Sequence, residues 1–335
     1  MRGGAAYPWL VADVGGTNAR FGTVAGPGAP VEDVRVLPVA AHAGPAAAVR
    51  AYLEGQPGRP RPQSAAFALA TALDGDRIEL TNGAWCFSRA GTQAELGLRT
   101  LLCLNDFEAQ ALSLPRLGAH QRRAWGAAPP AADGLATGAV LAVIGPGTGL
   151  GVGGVVRAPG RWLALPGEGG HMTLAPADDF ESAVLGHARR EFPHVSAERF
   201  LSGIGLPVLH RAVAAVLGDG REGGEGAAAL PAEQIVARGL AGESATCSRT
   251  LDVFCAMLGG FAGNVALTLG ARGGVFIGGG IVPRLGERFF QSEFRRRFEA
   301  KGRFQPFLAG IPTALITDTL AALSGAAMAL EQAEA

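Results

Sequence analysis

The sequence predicts an α/β protein made of two copies of one unit, each a mixed sheet flanked by helices. Two short apolar runs, Trp9-Leu10-Val11-Ala12 and Val140-Leu141-Ala142-Val143-Ile144, each pass into a glycine-rich turn and then a second apolar strand. The turns read Asp13-Val14-Gly15-Gly16-Thr17-Asn18-Ala19-Arg20 and Gly145-Pro146-Gly147-Thr148-Gly149-Leu150-Gly151. Around both, the order β-β-β-α-β-α-β-α recurs with insertions. A chain of 335 residues is long enough for two cores. Antiparallel strands followed by parallel crossovers make a mixed sheet, and two such units side by side are expected to leave a ligand cleft between them.

In the first half, residues 9–39 read as three strands turning at Gly15-Gly16 and Gly26-Pro27-Gly28. A helix over 45–53 ends at the Pro- and Gly-rich stretch 55–62. A buried strand is expected over 65–70, a small β excursion over 78–87 around Thr81-Asn82-Gly83, and a helix over 92–96. The strand 101–104 then ends at Asn105-Asp106, where a helix begins. The polar stretch 119–137 reads as an exposed connection.

In the second half, strands over 140–144, 152–156 and 162–165 precede a mostly helical insertion, 176–243. Within the insertion, 218–229 is a Gly- and Ala-rich surface loop, and Ser196 is expected to cap a helix opening at Ala197-Glu198. A long helix over 245–269, a strand over 275–277, a helix over 285–298, a strand over 313–316 and a last helix from Leu320 complete the chain.

Composition excludes several functions. Lys+Arg and Asp+Glu both number 29, so no basic field awaits nucleic acid or anionic lipid. Lys301 is the only lysine, which excludes a Walker A loop. The four cysteines, Cys86, Cys103, Cys247 and Cys255, lie far apart in apolar surroundings and read as buried thiols, not a zinc site or disulfides. Only 251–269 resembles a membrane span, and Gly259 to Gly263 matches the small-residue spacing of such helices. A core helix with Asp252 and Asn264, packed closely through its glycine face, explains it as well, and nothing else in the chain suggests lipid. Pro8 and Asp13 interrupt any hydrophobic leader, so a cytoplasmic protein is expected.

The candidate chemistry gathers at strand ends. Gly149-x-Gly151-x-x-Gly154 fits a dinucleotide fingerprint, but it lies in a β-hairpin and not at a strand-to-helix turn, so that reading fails. Asp13 precedes the first glycine turn and can orient water around Mg²⁺ while the turn amides approach phosphate. Asp106 sits at a strand's carboxyl end, where a general base can meet an alcohol, although by itself it reads as an N-cap. Leu165-Pro166-Gly167-Glu168-Gly169-Gly170-His171 brings an acid and an imidazole together, a pair suited to vicinal sugar hydroxyls. His187, His194 and His210 show no spacing linked to chemistry.

Taken together, six ordered motifs resemble the bacterial glucokinase family, the hexokinase-like branch of the actin-like ATPase (ribonuclease H-like) fold. They are the two glycine turns, Leu104-Asn105-Asp106-Phe107, the Glu168–His171 loop, 195–203, and Gly273-Gly274-Val275-Phe276-Ile277-Gly278-Gly279-Gly280-Ile281-Val282-Pro283-Arg284. The cysteine-rich zinc motif of the ROK sugar kinases is absent. The resemblance implies a small α/β domain over 1–107, with the helix 319–335 packing back on it, and a large domain over 108–318. It implies ATP-dependent phosphorylation of the glucose 6-hydroxyl, with Mg-ATP as donor, Asp106 as base and a homodimeric assembly. Asn82, Asn105, Asp106, Glu168, His171 and Glu198 would hold the sugar. Ala12, Asp13, Val14, Gly15, Gly16, Thr17, Gly147, Thr148, Gly149, Gly279 and Gly280 would bind ATP.

The chain departs from the family pattern at Thr71, where a proline is usual. It departs again after Asp318, where Thr319-Leu320-Ala321-Ala322-Leu323-Ser324-Gly325 replaces Asn-Pro-Gly-Leu-Leu-Gly. A kinase for another hexose or amino sugar, and a silent sugar sensor, are the competing functions; retention of both Asp13 and Asp106 argues against a sensor.

Overall fold

The structure, a computed structural model, describes residues 7–56, 58–71, 73–81, 83–220 and 229–334. The chain divides into one unit of Met1–Gly118, Gly154–Pro166 and Asp318–Ala335, and another of Ala119–Gly153 and Gly167–Thr317.

In the first unit, apolar runs cut by glycine turns give β1 (Trp9–Val14), β2 (Asn18–Val24) and β3 (Val31–Pro38), paired antiparallel in succession. Helix α1 (Pro45–Glu54) starts with proline in its first turn and gives way at Gly55. Next comes β4 (Ser64–Leu69), buried at every residue because both sheet faces are covered. Strands β5 (Arg77–Glu79) and β6 (Cys86–Ser88) form a separate ribbon. The buried Trp85 anchors the chain there, its indole N–H donating to the Val39 and His42 carbonyls at 3.0 and 2.9 Å. Helix α2 (Arg89–Leu96) is capped by Ser88, and β7 (Thr100–Asn105) runs straight into α3 (Asp106–Ser113). The sheet order is β3-β2-β1-β4-β7, with β1, β4 and β7 parallel.

The second sheet has the order β11-β10-β9-β12-β13-β8. Its strands are β8 (Arg122–Trp125), β9 (Val140–Pro146), β10 (Leu150–Ala158), β11 (Arg161–Leu165), β12 (Gly274–Ile277) and β13 (Thr313–Ile316). Between β11 and β12 lie α4 (Asp179–Ala188), α5 (Leu206–Leu217), α6 (Ala232–Ala241) and α7 (Ala245–Leu269). Short helices α8 (Val282–Leu285), α9 (Glu287–Phe290), α10 (Phe294–Glu299) and α11 (Gln305–Ala309) lead to β13, and α12 (Ala321–Glu334) ends the described chain.

Four expectations need correction. The stretch 119–137 is not only an exposed connection, because β8 pairs antiparallel with β13 as an edge strand. Its anchor is Trp125, packed among Phe289, Phe290 and Phe294, a single aromatic that alternation among arginines concealed. The expected helix over 285–298 is broken twice: Gly286, at φ 55°, separates α8 from α9, and residues 291–293 separate α9 from α10. Ser196 caps no helix: its Oγ accepts the Arg199 amide at 3.3 Å in a turn, and α5 starts only at Leu206. Cys86 is exposed because alternation along β6 turns it outward. Cys247 and Cys255 are buried as expected, and burial pushes the Cys255 thiol up to about 12. Most of the loop expected over 218–229 lies outside the described residues.

The apolar α7 is a core helix. A Cβ on Gly259 would collide with the Phe294 carbonyl oxygen, and one on Gly263 would come within 2.5 Å of the Phe298 oxygen. These glycines let α7 lie directly on α10. In the same manner Gly325 lets α12 lie on α3, against the Ala109 carbonyl.

Neighbouring glycines of α7 are therefore expected to respond with opposite signs. Gly259→Ala must push α10 away and should destabilise the protein by about 1–3 kcal/mol. Gly260→Ala, with nothing within 4 Å of its Cβ, should stabilise it by about 0.5–1 kcal/mol through helix propensity. Urea unfolding midpoints at unchanged slope check both.

Candidate active site

In the first unit the candidate residues collect at the carboxyl ends of the parallel strands. Register places Val14, Leu69 and Asn105 in one row across β1, β4 and β7. Asp13 and Asn105 therefore lie two strand spacings apart, about 10 Å. Asp13 pairs across β1 and β2 with Arg20, whose guanidinium is 3.5 Å from its carboxylate. The Asp13 side chain is 27% exposed, recessed yet reachable. Burial pushes its carboxyl above the ordinary aspartate value, with Arg20 opposing. Beyond it, the Gly15 amide donates to the Asn18 carbonyl at 2.9 Å and closes the turn, leaving Thr17 exposed.

Ala12 and Val14 flank Asp13 along β1. Both are wholly buried in the core, so the surface a ligand can reach begins at Asp13 and Gly15.

At the end of β7, Asn105 is the helix cap and Asp106 the first helical residue, the reverse of reading Asp106 as the cap. Asn105 Oδ1 accepts the Phe107 amide at 2.8 Å, and the Glu108 carboxylate accepts the Asn105 amide at 3.0 Å. Asp106 Oδ1 shares the Phe107 N–H at 3.0 Å, which fixes that side of the carboxylate. Asn105 Nδ2 donates to the Thr71 carbonyl at 3.1 Å. Asn82 lies outside the described residues.

In the second unit, β9, β12 and β13 are parallel, and two glycine turns follow the ends of β9 and β12. They are stitched together: the Gly278 amide donates to Ile144 at 2.8 Å and the Ile281 amide to Pro146 at 3.1 Å. Gly279 adopts φ 75°, and a Cβ there would strike the Pro146 carbonyl. Residues 147–149, 279 and 280 are thus brought together, with Thr148 and Gly280 exposed.

The expected sugar-binding segments close around the first of these turns. Gly203 N–H donates to the Gly147 carbonyl at 2.8 Å and Ile204 N–H to Thr148 at 3.2 Å. The Glu198 carboxylate accepts the Leu150 amide at 2.8 Å, and its own amide donates to Gly170 at 2.9 Å. Gly170 lies so close to Leu150 that any side chain would meet the Leu150 carbonyl. The turn 168–171, closed by the His171 amide on the Glu168 carbonyl at 3.0 Å, leaves both of those residues exposed. Glu168, His171 and Glu198 therefore belong to one hydrogen-bonded layer with the Gly147–Gly149 turn.

Sequence reasoning missed Thr71 and Arg20 as partners of these residues. Arg20 was visible as the residue opposite Asp13 in a two-strand register; Thr71 carried no local signal beyond its departure from the family pattern. His194 forms a hydrogen bond with Thr173 at 3.0 Å and His210 with Thr250 at 3.0 Å, which accounts for both as structural.

Comparison with known proteins points one way. The glucokinase family model matches residues 10–333. A glucokinase of Aromatoleum aromaticum is 49% identical over 327 residues, 98% of this chain and 96% of the relative. One of Chromobacterium violaceum is 50% identical over 322 residues, 96% of this chain and 89% of the relative. The crystal structure of a glucokinase from an Antarctic psychrotroph superposes with a TM-score of 0.87 at 36% identity, covering 97% of this chain and 99% of that one.

The burial of Asp13 has a measurable consequence. Its raised pKa means that the fold favours the protonated form, so its ionisation weighs against stability at neutral pH. That penalty is absent below the unfolded aspartate value and grows as pH rises through the folded value. Asp13→Asn is therefore expected to be more stable than the wild type at pH 7, with the gap closing toward about pH 4. Melting temperatures of the two proteins across that range measure it.

Proposed function

The chain belongs to the glucokinase family and phosphorylates glucose at the expense of ATP, and we propose that it does so at the 6-hydroxyl with Asp106 as the base. The observation that carries this assignment is the placement of Asp106: first residue of α3, at the carboxyl end of β7, with Oδ1 fixed by the Phe107 amide. In this reading the other oxygen takes the hydroxyl proton as the sugar oxygen bonds to the γ-phosphorus and the bond to ADP breaks. Proton removal is late in a loose transition state, so the base contributes mostly by holding the hydroxyl in line.

Asn105, Glu168, His171 and Glu198 would hold the remaining hydroxyls, a set rich in acceptors with one imidazole that can do either. Asn82 takes the same role by resemblance alone. The turns Asp13–Thr17 and Gly147–Gly149 would present amides and threonine hydroxyls to the phosphates, with Gly279 and Gly280 beside the nucleoside. Lys301 is the only lysine, so phosphate contacts would fall to backbone amides, hydroxyls, arginine or a metal.

Mg²⁺ fits the same reading. Among the described residues no group of three His, Cys, Asp or Glu side chains forms a metal cage. Asp13 is a single recessed carboxylate whose ionised form lacks full compensation. One carboxylate plus substrate phosphates is how Mg²⁺ is commonly held, with waters filling the rest of its shell. When bound, the ion would neutralise charge on the β- and γ-phosphoryl oxygens. A homodimer acting in the cytoplasm belongs to the same proposal; the apolar α7 is accounted for as a buried core helix.

Asp106→Asn keeps the side chain's shape and the Phe107 contact while removing the base. It is expected to bind glucose with near-normal affinity by calorimetry and to lose about 10²–10⁴ in kcat. Near-normal turnover in that variant would remove Asp106 from the role.

A further inference from the structure

Thr71 follows β4 by two residues and is buried, yet every polar group it has is occupied. Its amide donates to the Leu69 carbonyl at 2.8 Å. Its hydroxyl donates to the Glu79 carbonyl at 2.8 Å and lies 3.0 Å from the Thr81 hydroxyl. Its carbonyl accepts Asn105 Nδ2 at 3.1 Å. One residue thus ties the end of β5 to the strand end that carries Asn105 and Asp106.

We propose that Thr71 is a positioning residue for the phosphoryl transfer, its hydroxyl holding the peptide that orients the Asn105 amide and, through the shared Phe107 N–H, the Asp106 carboxylate. The inference rests on the glucokinase reading and deepens it. The chain of contacts is continuous: Thr81 and Glu79 to Thr71, Thr71 to Asn105, and Asn105 with Asp106 on one amide. Asn105 cannot flip within it, because its two neighbours are a carbonyl on one side and an N–H on the other, and each accepts only one end of the amide. Nδ2 therefore keeps one hydrogen of fixed direction to offer a sugar, beside the second lone pair of Oδ1.

The position is also where the family pattern carries proline. Proline has neither an N–H nor a hydroxyl, so it can supply only the carbonyl and a ring-fixed φ. Here the bonds from the Thr71 amide and hydroxyl perform the fixing that the ring would perform. Register explains why this carbonyl matters: Leu69 pairs with Asn105 across β4 and β7, so the chain just past β4 runs beside the head of α3.

The test compares wild type, Thr71→Val and Thr71→Ser in steady-state assays with glucose and Mg-ATP. Thr71→Val preserves size and removes the hydroxyl. It is expected to raise KM for glucose and lower kcat, together about three- to tenfold in kcat/KM, with KM for ATP unchanged. Thr71→Ser, which restores the hydroxyl, should return both to wild-type values. Wild-type kinetics in Thr71→Val, or a serine variant as impaired as the valine one, would overturn the proposal. Should Thr71→Val not fold, Thr81→Ala at an exposed position removes the same Thr81–Thr71 contact. It is expected to raise KM for glucose in the same direction, and an unchanged KM there would overturn the proposal equally. The wild type is assayed first: failure to turn over glucose would refute the kinase reading and this inference with it, whereas active wild type with unaffected variants refutes this inference alone.

Discussion

Glu198 accepts the Leu150 amide at 2.8 Å, and around that bond the backbone is packed too tightly for side chains. A Cβ on Gly149 would lie 2.5 Å from the Glu198 carboxylate, and those on Gly170 and Gly205 would strike the Leu150 and Glu198 carbonyls. Three chain segments remote in sequence can share one layer only because glycine stands at each crossing. The residues expected to hold the sugar are thereby attached to the turn expected to hold phosphate. Their spacing is set by backbone hydrogen bonds together with the one that the Glu198 carboxylate accepts. Sites built in this way are stiff, and stiffness is what alignment of two substrates requires.

The first unit reaches the same end by a different route. Its three parallel strands finish in register, so Asp13, Thr71 and Asn105 emerge from one edge of one sheet. Strands β1 and β4, buried along nearly their whole length, give that edge little freedom. The capping box of α3 then fixes the residue that follows: Asn105 and Glu108 satisfy the helix start between them, and Asp106 stands in the first turn. The helix cap and the proposed base are thus adjacent residues.

Much of this was legible in the sequence for a physical reason. Strands buried on both faces are continuous apolar runs, and glycine turns punctuate them, so β1, β4, β9 and β12 announce themselves. Helix α7 showed its full length because its apolar residues and glycines have no competing role. What escaped was tertiary. The short β8 is held by Trp125 among three phenylalanines that lie more than a hundred residues away in sequence. The helix expected over 285–298 failed at Gly286, whose positive φ no periodicity reveals. Glu168, His171 and Glu198 were proposed from motifs, but the bond from Glu198 to Leu150 had no sequence signal, since it joins positions that only the fold brings together. Ala12 and Val14 were proposed for the nucleotide site by their neighbours in the motif, and their burial in the core was not legible there.

The most direct measurement is product formation from Mg-ATP with glucose, mannose, fructose, galactose, glucosamine and N-acetylglucosamine at equal concentration. ADP release would be quantified and the product position read by phosphorus NMR. The account predicts that glucose is turned over in preference to the others and that the phosphate appears on its 6-oxygen. Phosphate on another oxygen, or turnover of a different sugar with glucose left untouched, would contradict it.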